Sequence, residues 1–353
     1  MTHLALGDYV YQGAFLHQLK IRYPNIKLDI WIDDCRTKQK SWHNGRNSTL
    51  QQWLANESHI DHIYPIAESN QSRDDMIKLA QQQEYDYIVF VATNRAASYL
   101  DIAKRISEKA VIAGTEPQGF FTKLINQRKF SKVNPLISLD HLKQSEHISD
   151  FYNHIFSQLF ASPLEKSQRL RRITFPQKFT DEAKAQIAVW RNSFELADGP
   201  TVFINHLSTN DKRDWQLIQV KELMQALAKD NSDILFILNA PPHKYQEISK
   251  WCNLQFEESN LVIAAFSATK NFFQLPALMQ TCDLTISVET AIMHLASSLK
   301  LSQIALIRKS ASRWCPLGAE IVLKGDKRVD RISVSQVIKE AQKCLKKGLQ
   351  KQA

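Results

Sequence analysis

The chain has 353 residues, enough for two domains of ordinary size, and its 44% hydrophobic and 23% charged residues are a folded rather than a disordered composition. No apolar run long enough to span a bilayer occurs, the first residues lack the basic-then-apolar pattern of a secretory signal, and five scattered cysteines without paired spacing read as reduced thiols of a cytoplasmic protein. Lys and Arg number 45 against 36 Asp and Glu, a formal charge of +9 that favours an anionic partner, while RNA-binding signatures and zinc fingers are missing.

Thr2 to Leu6 reads as a short strand, shorter than a full one or opening late, followed by a Gly7-Asp8 turn. Tyr9 to Tyr23 has helical periodicity and stops at Pro24-Asn25; Lys27 to Ile32 is a strand. Residues 33–46 are polar and basic and read as a loop. Ser48 to Leu54 is a short helix, His62 to Ile66 a strand, 72–83 a helix and Tyr87 to Val91 a strong strand. Thr93-Asn94-Arg95 then stands at that strand's C-terminal end, the edge where open α/β sheets carry ligands. A helix to Ile106 and a strand around Val111 continue the alternation, 115–145 looks irregular and basic, and Glu146 to Phe160 is helical. A charge-rich stretch leads to a strand, Ile173 to Phe175, and a domain boundary is expected near 165–180.

The alternation restarts with a helix from Thr180 to Phe194, a strand from Thr201 to Asn205, a polar loop from His206, and a helix from Trp215 to Ala228. Strands are expected at Ile234 to Leu238 and Val262 to Ala265, with a helix at Leu275 to Cys282. Repeated alternation of this kind implies mostly parallel sheets with helices on both faces. Ser333 can cap a final helix that is apolar on one side and lysine-rich on the other.

The most informative stretch is Cys282 to Gly318. Leu284 and Ile286 form a buried strand that delivers Val288-Glu289-Thr290-Ala291 to a helix buried through Ile292, Leu295, Ala296 and Leu299. The first N–H groups of such a helix have no intrahelical partner, so this entry can hold a phosphate. A second strand, Gln303 to Ile307, ends in the polar loop Arg308 to Arg313 and then Trp314-Cys315-Pro316.

Asp283, Ser287, Thr290, His294, Leu295 and Ala296, followed by Arg313, Trp314, Pro316 and Gly318, resemble the C-terminal signature of glycosyltransferase family 9. That family contains the ADP-heptose:lipopolysaccharide heptosyltransferases. Gly7-Asp8 with the following helix and Tyr23-Pro24-Asn25 turn, and Lys212 shortly before Trp215, are further matches. The chain departs from the pattern at Glu289, where the family usually has Asp, and at Ala291, where it usually has Gly. A methyl group at 291 narrows the backbone's approach to a diphosphate. The turn Asn239 to His243 lacks the glycine and acid the family tends to place there, so no residue is carried over from it.

The resemblance implies a GT-B fold: two Rossmann-like domains facing a central cleft, 1–170 for the acceptor and 171–353 for the nucleotide-sugar, with a C-terminal helix. It implies inverting, metal-independent transfer of a heptose or related sugar from an ADP-linked donor to an anionic lipopolysaccharide core acceptor, with no cofactor, no nucleic acid, and a cytoplasmic location peripheral to the inner membrane. No Asp-x-Asp motif clearly placed to hold a divalent ion beside a diphosphate appears. Asp8 is then the general base, with helix capping as the other reading, and Lys212 the leaving-group contact, otherwise a solvated loop lysine. Thr290, Ala291 and Ile292 offer backbone N–H groups, and the Thr290 hydroxyl a further donor. Glu289 binds sugar or ribose hydroxyls or caps its helix. His294 bonds the phosphate or packs beneath the turn, and Ser208 and Thr209 line the donor loop. Arg313 and Trp314 flank the site or belong to the core. Arg36, Lys38 and Arg95 are acceptor contacts on charge and position alone. Three rivals remain: a family 9 transferase with another donor or a protein acceptor, a degenerate GT-B binding protein, and nucleic-acid binding through the basic excess.

Overall fold

The computed structural model describes residues 1–36, 42–92, 94–140 and 147–352; the side chains of 42–46, 120 and 348–352 are not described. Lys38 and Thr93 lie outside the described residues. The chain divides into two compact units, Met1–Arg171 and Arg172–Ala353.

The first unit runs α1 (Leu6–Arg22), β1 (Asp29–Trp31), α2 (Trp42–Ala55), β2 (His62–Tyr64), α3 (Asn70–Gln81), β3 (Tyr87–Phe90), α4 (Ala96–Ile106), β4 (Val111–Thr115), α5 (Phe120–Phe130), β5 (Leu136–Ile137) and α6 (Ile148–Phe160). All strand pairs are parallel: β1 with β2, and β3 with β4 and β4 with β5. The expected first strand shrinks to one bridge, Thr2 beside Val91, but it still joins the two pieces. Thr2 N donates to Trp31 O at 3.1 Å, and Val91 N to Met1 O at 2.9 Å.

Two expectations fail here. The loop expected at 33–46 already contains the start of α2, and the irregular stretch 115–145 holds α5 and β5. Helix α5 turns Phe121, Leu124 and Ile125 to solvent and buries Phe130, so its apolar pattern does not mark a buried face.

A buried polar knot ties the end of this unit to its start. The Arg171 guanidinium grips Glu57, and Trp53 Nε1 donates to Glu57 Oε1 at 3.0 Å. His59 Nδ1 lies 3.3 Å from Glu57, yet burial and then the Arg171 charge lower its pKa to about 3. Arg171 already neutralises the carboxylate, so His59 stays neutral.

The second unit runs α7 (Gln177–Ser193), β6 (Thr201–Asn205), α8 (Leu217–Asp230), β7 (Leu235–Asn239), α9 (Tyr245–Ser259), β8 (Ile263–Phe266), α10 (Gln274–Gln280), β9 (Leu284–Val288), α11 (Ala291–Leu299), β10 (Gln303–Arg308), β11 (Ile321–Gly325) and α12 (Val334–Gln352). Its six strands are all parallel, in the order β11-β10-β9-β6-β7-β8. Val202, Ile204, Leu284, Ile286, Ile304 and Leu306 of the central strands pack against Val220, Leu223 and Leu227 of α8 and Val337 and Ala341 of α12. The lysine-rich C-terminal helix is therefore a packed element, with its apolar side spent on the core; Ser333 Oγ caps it, accepting from Gln336 N at 3.3 Å.

The strand expected at Ile173 to Phe175 does not form, because Ile173 N donates to Ser298 Oγ at 2.9 Å instead of to a neighbouring strand. The basic loop 309–314 is a 3-10 helix, and its follower Gly318 has φ +78°, a left-handed conformation that glycine adopts without strain.

His206, directly after β6, is also fully buried, and burial lowers its pKa to about 4. Unfolding frees both histidines to titrate near 6.5, so their contribution is complete above that value and drains away as pH falls through it towards the folded values. At about pH 5 each is expected to have cost roughly 2 kcal/mol. Thermal melts at about pH 7 and about pH 5 check this; equal melting temperatures would contradict it.

Candidate active site

Strand order places the candidate site of the second unit. From β6 the chain adds β7 and β8 on one side, then returns to lay β9, β10 and β11 on the other, so the order reverses between β6 and β9. In open parallel sheets the crevice outside the carboxyl ends at such a reversal is where ligands sit.

Four residues from the ends of three strands meet there. Asn205, last of β6, donates from Nδ2 to Thr290 Oγ1 (3.1 Å) and Ser287 Oγ (3.2 Å), and accepts from Asn239 Nδ2 at 2.9 Å. Thr290 is the N-cap of α11, its hydroxyl accepting weakly from Ile292 N at 3.3 Å. Ile292 N–H is thus partly engaged by the cap. Ala291 is half-buried in the first turn.

Glu289 is engaged by arginines. Only 7% exposed, it accepts from Arg308 Nη2 at 2.7 Å, Arg308 Nε at 3.0 Å and Arg308 N at 3.2 Å, and Arg213 Nε lies 3.3 Å away. Its longer side chain reaches across to the end of β10, so its oxygens hold two guanidinium groups instead of standing open to hydroxyls or capping α11. These bonds raise Arg308 above its usual pKa.

The loop after β6 is a 3-10 turn, Asp211–Arg213. Lys212 is exposed on it, its N–H bonded to Asn210 Oδ1 at 3.0 Å, while its neighbour Arg213 is the residue that reaches Glu289. Ser208 is occupied in closing the loop: its N–H donates to Asp214 Oδ1 and its hydroxyl to Asn210 O at 2.8 Å. Thr209 is exposed nearby. His294 is buried a turn inside α11, its ring edge-on to Trp314 at 6.1 Å, which places it beneath the entrance. Arg313 and Trp314 are half-buried on the segment after β10.

In the first unit Asp8 is not in a turn. It is the third residue of α1, where Oδ2 accepts from Ala5 N at 3.0 Å and Oδ1 from Tyr152 Oη at 2.8 Å. The helix begins earlier than expected because Asp8 itself satisfies an N-terminal N–H. Capping does not by itself bar base chemistry, since a carboxylate can accept several hydrogen bonds at once and this one is half-buried. Arg36 is drawn onto the buried Asp34, its Nε 2.7 Å from Oδ2, so its charge is largely answered within the unit. Arg95 caps α4 in a left-handed conformation (φ 59°) with its residue exposed.

Sequence reasoning missed Asn205, Asn239, Arg213 and Arg308. All but Arg213 end a strand, and that position at the carboxyl edge was the available signal.

The model of glycosyltransferase family 9 (heptosyltransferase) matches residues 127–340. No curated protein matches the chain. Among solved structures, a family 9 glycosyltransferase from Veillonella parvula is similar with a TM-score of 0.74 and 18% identity, over 98% of this chain and 96% of that one. ADP-heptose lipopolysaccharide heptosyltransferase II of E. coli follows with a TM-score of 0.70 and 14% identity over 100% and 98%. E. coli heptosyltransferase WaaC with ADP gives 0.65 and 14% over 98% and 100%. The two parallel α/β units match the GT-B fold of such enzymes. With a family match over more than half its length, the chain belongs to glycosyltransferase family 9, the heptosyltransferases, and is a glycosyltransferase.

Proposed function

We propose that the enzyme transfers a heptose or a related sugar from an ADP-linked donor to a phosphorylated lipopolysaccharide inner-core acceptor, with inversion and without a metal or cofactor. The observation that carries this reading is the entrance of α11 at the strand-order reversal, with Arg213 and Arg308 held on Glu289 just ahead of it and Lys212 the loop neighbour of Arg213. A diphosphate fits such an entrance, where backbone N–H groups and cations act on the same charge.

In the proposed reaction an acceptor hydroxyl attacks the anomeric carbon while Asp8 takes its proton. The bond from that carbon to the diphosphate oxygen breaks, and ADP departs with the electron pair. The charge growing on it is met by the Thr290 and Ala291 amides and by Lys212 and Arg213. Arg308 acts through Glu289 and Arg213. The same reading proposes that the enzyme works at the cytoplasmic side of the inner membrane.

A thermal-shift comparison of ADP, ADP-heptose, ADP-glucose and UDP-sugars tests the donor. Stabilisation by ADP and most by ADP-heptose is expected; stabilisation by none would favour a binding protein that keeps only the fold. A second reading, a different sugar on the donor, draws on Glu289: a carboxylate held by Arg308 is not offered to a sugar hydroxyl. Preferential stabilisation by another ADP- or UDP-sugar would select it.

Ala291→Gly is expected to leave ADP affinity unchanged or to raise it, because removing the methyl widens the approach to the first turn of α11. Calorimetric titration of the variant checks this, and a large loss of affinity would show that the diphosphate does not sit there.

A further inference from the structure

Helix α5 is built inside out. Phe121, Leu124 and Ile125 are 76%, 61% and 80% exposed, and they fall at the i, i+3, i+4 spacing that groups them on one face. Phe130, on the opposite side, is the residue buried in the core of the first unit. Leu136, the first residue of β5, adds a fourth apolar side chain at 39% exposure and borders the same shallow depression as Leu124.

Within the segment itself the charges have one sign. Residues 120–135 carry Lys123, Arg128, Lys129 and Lys132 and no Asp or Glu. Lys123 is held by Glu116 and Asp140, and Lys129 by Asp101. Arg128 lies seven residues after Phe121 and so shares the apolar face, while Lys132 follows just past the helix; both are exposed. An apolar stripe rimmed by cations is the pattern that enters the headgroup boundary of a bilayer. It is poorly suited to a second copy meeting it across a two-fold axis, since Arg128 and Lys132 would then approach their own images.

We infer that the outer face of α5, formed by Phe121, Leu124, Ile125 and Arg128 with Lys132, seats the enzyme on an anionic lipid surface. This goes beyond the proposed reaction and does not depend on it. No described helix is long and apolar enough to cross a membrane, and α12 spends its apolar side on the core; other helices expose apolar side chains too, but among the described residues α5 groups three that are each more than 60% exposed on one face. Because α5 follows β4, its first turn stands at the carboxyl edge of the sheet, the edge that also carries Asp8 and Arg95. Lipid contact there would bring a headgroup to the face of the unit that holds the candidate base.

The test is sedimentation of the full chain with vesicles of phosphatidylcholine alone and of phosphatidylcholine with phosphatidylglycerol. Binding to the anionic vesicles, weakened by salt, is expected, with little binding to the neutral ones. The double variant Leu124→Asp, Ile125→Asp is expected to weaken that binding by about tenfold or more, and Arg128→Glu with Lys132→Glu by a similar factor. Both pairs are exposed, so their melting temperature and its shift with ADP should match the wild type, which separates lost lipid contact from lost folding and from failure of the donor reading. Wild-type protein that ignores anionic vesicles would overturn the inference, as would variants that bind them undiminished. So would a concentration-dependent dimer abolished by the apolar variants while vesicle binding persists, since the face would then join two copies.

Discussion

Asp8→Asn is expected to slow sugar transfer by about 10²- to 10⁴-fold, the usual worth of a positioned general base, while ADP binding and the melting temperature stay close to wild type. The substitution suits the geometry. An amide oxygen can still accept from Ala5 N, so the start of α1 keeps its cap, but no carboxylate remains to take a proton. Asp8→Ala removes both roles, and comparing the two variants separates them: the cap accounts for about 1 kcal/mol of stability, and the base for activity. Tyr152, which donates to the other oxygen, fixes the direction in which the carboxylate faces. Turnover by the Asn variant at the wild-type rate would remove Asp8 from the chemistry.

The second large effect concerns stability. Arg308→Met is expected to destabilise the second unit by about 3 kcal/mol, the low end of the cost of taking one partner from a buried ion pair, because Arg213 remains 3.3 Å from Glu289. Glu289 would keep only the backbone N–H of residue 308 and that one guanidinium. Adding Glu289→Gln should return part of the loss, since the uncompensated carboxylate is then gone, and the double-mutant cycle should show coupling of about 1 kcal/mol or more. Chemical unfolding followed by a probe in the second unit reads this. Additive effects of the two substitutions would mean that the pair seen at the end of β10 contributes nothing to the fold.

How far the sequence reveals this arrangement depends on where each residue's partner lies. Strands β6 and β9 are buried along their whole length, so Thr201 to Asn205 and Leu284 to Val288 show up as apolar runs with clear ends. Thr290 caps from within three residues of the helix it starts, and Ser333 does the same for α12, so both are local signals. Asp8 was found through its motif, but its position inside the helix depends on a bond back to Ala5 that composition does not reveal.

Other features depend on distant residues. The Glu289–Arg308 pair spans two strands, and Asn205 meets Thr290 only because β6 and β9 are neighbours at the strand reversal. Ile173 to Phe175 has the residues of a strand but spends the N–H of Ile173 on the Ser298 hydroxyl. Helix α9 went unread because it buries only Ile248, Cys252 and Gln255, and β11 because it is an edge strand with most of its side chains half-exposed. Helix α5 hides for the opposite reason: its apolar residues point away from the core, and a pattern read as burial cannot mark an element that faces outward.

The central claim is that the donor's diphosphate docks where α11 begins, between the ends of β6, β9 and β10. A crystal structure of the enzyme with ADP tests it most directly. Phosphate oxygens within hydrogen-bond reach of the Thr290 and Ala291 amides and of Arg213 or Lys212 are predicted; ADP bound elsewhere, with the entrance of α11 untouched, would contradict the account.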